Sequence, residues 1–357
     1  MIFSILQRYI MKTVILATLL VMVVVSGLAY FIILLGELRD IGVGEYGFFQ
    51  AGVHALLELP HSLYSFFPML VLLGGLMGLG MLASNQELVV MRVSGYSIRR
   101  IMRAVFGAAI ILIVIGMFIG EGIAPHAHYF ADIHKSTEQS SGQAVVTATG
   151  LWVHEGNNFV HIDRVTAHQH LQGVTRYEFD SKHKLLAAYY AKTLDYQQGH
   201  WQLQDVVKTT FGQDHTSNQT FSHATWDLNL SPNVLSVGLI EPEELPLNKL
   251  YYFTHHLVSN GLQATEFQFS FWKRALEPLT ILVMLFLAIP FVFAAPRAVN
   301  LGWQMVLGVS VGFVFYILDS LLGQLSVVYQ LSPFVAALLP IVLFAGLGSI
   351  LMLRIRN

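Results

Sequence analysis

Cysteine is absent from this 357-residue chain, which excludes a disulfide framework and any thiolate metal site. Charge is scarce as well. Asp, Glu, Lys and Arg make up 12% of the residues and hydrophobic types 54%, against roughly 25% and 45–50% in an ordinary soluble domain. An integral membrane protein is expected. The net charge of -2 offers no field for a nucleic-acid partner. Two catalytic signatures are missing too. No glycine stands in the phosphate-cradling pattern G-x-x-x-x-G-K-[ST], so this chain is expected not to hydrolyse ATP by itself, and H-E-x-x-H does not occur.

What the chain does have is long apolar runs. Thr13 to Gly36 carries no charge, and as a helix it would cover about 36 Å, enough for a hydrocarbon core of about 30 Å. A cleavable signal has a shorter apolar region and a small-residue cleavage site, so this run reads as a span. Five more spans are expected at about Leu63–Leu82, Ala104–Gly120, Leu279–Ala295, Leu301–Leu321 and Pro333–Leu353. Six spans put both termini on one side of the membrane. Arg8, Lys12, Arg92, Arg99, Arg100, Arg103, Arg297, Arg354 and Arg356 fall on that side, whereas the short loop Glu37–His61 sets Arg39 against Glu37, Asp40, Glu45 and Glu58. By the positive-inside rule the termini are cytoplasmic.

The loop between the second and third spans, at about 84–96, sets one acid, Glu87, and an apolar face beside the basic cluster Arg92, Arg99, Arg100 and Arg103. Two readings apply: a docking helix through which an energised partner pushes, or an ordinary positive loop.

Three regions result: 1–124 with spans one to three, 125–273 as an insert, and 274–357 with spans four to six. The insert holds all of the 15 histidines except His54 and His61. Its patterns alternate with a period of two, as in Asn158–Ile162, Thr175–Phe179 and His200–Leu203, with the turn Glu155-Gly156-Asn157-Asn158 between strands. Several short strands of this kind imply an all-β sandwich or open barrel. A helix over Leu247–Asn260 leads back toward the membrane.

The H-x-H pairs His126/His128 and His168/His170 and the adjacent His255 and His256 raise a metal hypothesis. Alternate strand residues share a face, but a site needs more ligands and an ordered second shell, so solvated strand and loop histidines are the preferred reading. Glu121, His126 and Asp132 beyond the third span lack a nucleophile motif, and Glu277 and Asp319 are acids at span ends. Small residues spaced by four, Gly74/Gly78, Gly116/Gly120 and Gly308/Gly312, bring helices close, within the chain or between subunits. No repeat relates the two halves.

Several ordered pieces resemble a known family. They are Leu6-x-Arg8-Tyr9-Ile10, Phe66-Phe67-Pro68-Met69, Gly78-Leu79-Gly80-Met81-Leu82-Ala83, Glu87-Leu88-Val89-Val90-Met91 with Ser94-Gly95, and Gly120-Glu121-x-x-Ala124-Pro125. Gly150-Leu151-Trp152, Gly156-Asn157-Asn158-Phe159-Val160 and Gly312-Phe313-Val314-Phe315-Tyr316-x-Leu318-Asp319 follow in the same order. Across its whole length the chain resembles the permease subunits of the lipopolysaccharide export ABC transporter (LptF/LptG), on the LptG-type side.

The resemblance implies an α-helical membrane protein with six transmembrane helices and an inserted all-β periplasmic jellyroll-like domain, in a Gram-negative inner membrane. It implies an LptF-type second permease, two copies of an LptB-type cytoplasmic ATPase that binds the ATP and Mg, and periplasmic bridge proteins of the LptC and LptA types. No cofactor is expected in this chain. Glu87, Leu88, Met91 and Arg92 would lie on the coupling helix, and spans one and five would line the lipid cavity. Family members carry Lys on the outer half of the first span, but Tyr30–Leu35 has none, so Arg39, His61 and Lys135 are the candidates for the anionic head group. Acyl chains exposed to water cost about 0.8 kcal/mol per methylene, so the cavity must be apolar, and Phe66, Phe67, Leu70, Phe313, Phe315 and Ile317 are the candidates to line it. Trp152, Phe159 and Ile162 are the candidates for a conduit through the β domain. Two rival classes are a membrane-anchored periplasmic metal- or His-dependent hydrolase and a structural anchor for the β domain.

Overall fold

A computed structural model of the protein describes residues 4–139, 151–155, 158–166, 170–180, 184–197, 200–211, 216–226, 242, 245–259, 264–294 and 301–356. Arg297, His168 and the turn residues Gly156 and Asn157 lie outside these, as do the side chains of Trp152, His170 and His256. The chain divides into two compact units, one of Met1–Glu37, Ala55–Tyr129 and Pro242–Asn357, the other of Leu38–His54 and Phe130–Glu241.

Helices build the first unit and part of the second. In chain order the helices are α1 (Ile5–Glu37), α2 (Phe48–Ser65), α3 (Phe67–Ser84), α4 (Glu87–Val93), α5 (Ile98–Met117), a π-helical turn (Phe118–Ile123), α6 (Ala124–Gln139), α7 (Leu247–Ser259), α8 (Thr265–Ala294), α9 (Leu301–Tyr329) and α10 (Pro333–Arg356). Among the described residues six segments are long and apolar enough to cross a membrane: α1, α3, the continuous Ile98–Lys135, α8, α9 and α10. In hydrocarbon a backbone must satisfy its own polar groups, and a helix does so within one segment.

The helices overrun the apolar runs because a helix continues through polar residues when these find partners. The fourth span therefore starts at Thr265 rather than Leu279, and Lys273, Arg274 and Glu277 lie inside it. Likewise the third span does not stop at Gly120 but passes through the π-turn into α6. The supposed short loop Glu37–His61 is largely helix α2, and the second span begins at Phe67 rather than Leu63.

Glycine sets the helix spacing. A Cβ at Gly74 would collide with the side chain and Cα of Thr18 on α1, and one at Gly78 with the backbone of Val14. Gly116 and Gly120 accommodate the rings of Phe67 and Tyr64, and Gly308 and Gly312 accommodate Leu76 and Met69. All three glycine pairs thus serve packing within this chain. The core they permit runs from Ile10 and Val14 through Leu70, Leu72, Leu76 and Leu79 to Ile281 and Met284, each at most 1% exposed.

The insert is a six-stranded antiparallel sheet in the order β1 (Leu151–Glu155), β2 (Asn158–Thr166), β3 (His170–Phe179), β4 (Leu185–Gln197), β5 (His200–Phe211) and β6 (Thr216–Trp226). Each strand pairs with the next, so every connection is local. The all-β reading is met. One face is buried on itself: Val160, Ile162, Val174, Ala191, Leu194, Trp201, Leu203, Val206 and Trp226 form one cluster. Tyr189 of β4 and Trp226 at the end of β6 are far apart in register, yet their rings meet edge-on at 6.0 Å. The sheet therefore curls round its own apolar face.

Gly74→Ala should lower stability by about 1–3 kcal/mol, the usual cost of overpacking. Gly27→Ala, where a Cβ meets nothing within 4 Å, should leave it unchanged or raise it slightly. Thermal unfolding in detergent compares the two.

Candidate functional site

The short helix α4 follows Gln86, whose φ of 62° turns the chain sharply out of α3. Its seven residues present two faces. Leu88 and Met91, one turn apart, are 2% and 8% exposed and join the core of this chain, while Val89, Val90 and Val93 face outward. This corrects the expected docking set: Leu88 and Met91 anchor the helix and are not available to a partner. Glu87 accepts from Asn85 Nδ2 at 3.5 Å. Arg92 is exposed, with its guanidinium 5.9 Å from the centre of the Phe293 ring at the end of α8.

The three head-group candidates are held differently. Arg39 is exposed and forms no ion pair among the described residues. Lys135 pairs with Asp40 at 2.7 Å and lies 6.0 Å from the Tyr46 ring centre, which ties α6 to the turn after α1. His61 belongs to the other compact unit, with its ring 5.1 Å from that of His128. His128 in turn bonds Glu58 through Nδ1, and His126 Nδ1 meets the Gly122 carbonyl. His126 and His128 are on a helix, where alternate residues diverge, so the strand-based shared face does not apply to them. Among the described residues no three His, Asp or Glu side chains group as metal ligands.

The acyl-chain candidates also separate. Phe67 and Leu70 are 0% and 1% exposed in the core and do not border the pocket that Phe66 and Phe315 line, a second correction. Their positions after Phe66 turn them inward on α3. Phe66, Phe313 and Ile317 are exposed, and Phe315 is partly buried against Phe344. Phe66 and Phe315 border an open pocket of about 520 Å³ with Met69, Tyr316 and Ile341 on its apolar side.

The polar side of that pocket escaped sequence reasoning. Lys273 bonds Asp319 at 3.2 Å, joining α8 to α9, and Glu277, 8% exposed, follows one turn after Lys273. Arg274 is 6% exposed and bonds Glu121 Oε1 at 3.3 Å. The other oxygen of Glu121 accepts from the Leu247 amide at the start of α7 at 2.6 Å. Tyr64 lies beneath the Arg274 guanidinium, 5.4 Å away, and burial raises its phenol well above the ordinary value, so it is neutral. Charges inside a span pair with one another because lipid cannot solvate them. Asp319 therefore does not simply reach an interface. The available signal was two cations, Lys273 and Arg274, beside acids at apparent span ends, since charges placed there need partners.

In the insert, Phe159 and Ile162 do not share a face. Ile162 is 1% exposed beside Val160, whereas Phe159 is 40% exposed and stacks edge-on with Phe179 at 5.6 Å. The reason is parity: residues three apart on a strand point oppositely. Trp152 pairs with His161 in register.

Six apolar spans with a curled β insert between the third and fourth in sequence define a multi-pass membrane protein with a sheet domain. The chain belongs to the lipopolysaccharide export system permease LptF/LptG family, whose model matches residues 8–354. It is 37% identical over 359 residues to the lipopolysaccharide export system permease protein LptG of Escherichia coli (strain K12), covering 99% of each. It is 34% identical over 341 residues to the protein of the same name from Haemophilus influenzae, covering 95% of each.

Arg274→Met should destabilise the helical unit by about 1–3 kcal/mol, because it leaves the partly buried Glu121 carboxylate without its cation. Adding Glu121→Gln should recover part of the loss. Thermal unfolding of the two single variants and the double variant gives the coupling.

Proposed function

We propose that this chain is the LptG-type permease subunit of a transporter that extracts lipopolysaccharide from the inner membrane and passes it toward the outer membrane. The observation that carries the reading is the contrast between spans. Only 11% of the apolar window of α1 and of α9 is buried, against 72% for α3 and 61% for α8. Spans one and five thus stand at the flank of the bundle with charge-free apolar faces, Val23, Val24, Leu28, Phe31 and Ile32 on the first and Phe313, Val314 and Ile317 on the fifth. Paired with a similar permease, such flanks enclose an apolar space for acyl chains. Arg39, exposed just beyond the first span, supplies a forked cation for a head-group phosphate.

The chain is non-catalytic in this reading, and two copies of a cytoplasmic ATPase drive it through α4. The termini are cytoplasmic and the β insert periplasmic, as the Lys and Arg distribution supports. The buried face of the sheet carries acyl chains onward to periplasmic bridge proteins.

Three outcomes test this. Val90→Asp, on the outward face of α4, and Glu87→Lys should each weaken ATPase co-purification at least about tenfold, the worth of about 1.4 kcal/mol. Leu88→Ala should instead lower the stability of this chain by about 2–5 kcal/mol. Arg39→Glu should reduce lipopolysaccharide binding in a reconstituted system while the ATPase remains bound, and unaltered lipid affinity would overturn that role. A photo-crosslinking side chain at Ile162 should capture lipid during turnover, and one at Phe159 should not.

A further inference from the structure

On the curled sheet, the row Val160, Arg176, Tyr189, Lys208 and Gln219 runs across β2 to β6 in register. Alternation fixes its face. Val174 and Val206 are buried in the apolar cluster, and Arg176 and Lys208 lie two residues beyond them on the same side. Two cations therefore flank one tyrosine where the apolar face of the insert ends.

Among the described residues neither cation is neutralised by a carboxylate. The Arg176 guanidinium lies 5.7 Å from the centre of the Tyr189 ring and 5.3 Å from that of Trp226, and the Lys208 ammonium lies 5.1 Å from the Tyr189 ring. Glu178, two residues beyond Arg176 on that face, accepts the Tyr189 hydroxyl at 3.1 Å, and no ion pair joins it to Arg176 or Lys208 among the described residues. Arg176 Nε is buried without a hydrogen-bond partner. Cation–π contact holds a guanidinium in plane but consumes none of its N–H donors. A buried donor left in that condition costs about 1–3 kcal/mol unless an acceptor meets it.

We propose that Arg176 and Lys208 form a phosphate-binding site on the inward face of the β insert. A tetrahedral oxyanion matches the guanidinium fork and the ammonium together, whereas a neutral acceptor would leave the second positive charge uncompensated. The phosphate comes either from a lipid head group, whose chains would then lie along Ile162, Val174 and Val206, or from free phosphate. The first source rests on the lipopolysaccharide reading; the site itself does not.

The test uses the full chain in its assembled transporter, with a photo-crosslinking side chain at Ile162 and lipid A supplied in phosphorylated or dephosphorylated form. The double variant Arg176→Gln/Lys208→Gln should lower capture of the phosphorylated form at least about tenfold, the worth of one charge-assisted hydrogen bond. It should leave capture of the dephosphorylated form unchanged. In parallel, inorganic phosphate is titrated calorimetrically into the purified full chain and into the single variant Arg176→Gln. Heat that vanishes in the variant, with lipid capture indifferent to phosphorylation, assigns the site to free phosphate. Absence of capture of either lipid form by the unsubstituted chain, with that heat intact, sinks the lipid conduit and keeps the site. Equal loss of both lipid forms in the double variant, or no loss, together with no Arg176-dependent heat, overturns the proposal. Arg176→Gln loses two cation–π contacts, so its thermal unfolding is followed alongside and should remain a single cooperative transition.

Discussion

The carboxylate of Glu121 joins three parts of the chain that are remote in sequence. One oxygen takes the Leu247 amide at the start of α7 and the other the Arg274 guanidinium of α8. Glu121 stands shortly before the chain leaves the helical unit, and Leu247 shortly after it returns. A single side chain therefore pins both ends of a long excursion, and the helical unit remains one body despite the interruption. An acid at the first residue of α7 also meets the positive end of that helix. The π-turn at Phe118–Ile123 is the local irregularity that accompanies it, in keeping with the frequent placement of such bulges at functional positions.

Around that pin, burial is unevenly shared. The second and fourth spans form the packed interior through glycine contacts and Leu, Ile and Met side chains, while the first and fifth keep broad apolar faces outward. Lipid tails offer helices no hydrophobic drive to associate, so close approach at small residues and paired charges have to hold them. Lys273 with Asp319 does this for α8 and α9, and the Phe66–Tyr316 ring contact at 5.3 Å does it for the start of α3 and α9.

The insert works by a different rule. Local antiparallel connections fix which strand lies beside which, and the two-residue period fixes which side chains meet inside. Curling brings Trp226 over Tyr189, and this closure turns an alternating pattern into an enclosed apolar face with Arg176 at its margin.

The number of spans, the all-β insert, the short helix after the second span and the family were legible in the sequence, because each depends on local composition: runs of about 20 apolar residues, alternation, and ordered short motifs. The partners of individual side chains were not. Leu88 and Met91 look like a docking face until the helical turn is seen to point them at their own core, and Phe67 and Leu70 look like cavity wall for the same reason. Phe159 was separable from Ile162 by parity alone, a signal present in the sequence. Lys273, Arg274, Glu121 and Asp319 found their partners only when α8 was placed beside α9 and the π-turn, since pairing across distances of up to 153 residues in sequence leaves no periodic trace. Composition and period decide which segments enter the membrane and which form sheet; tertiary packing decides which charge answers which, because electrostatic partners are chosen by proximity in space.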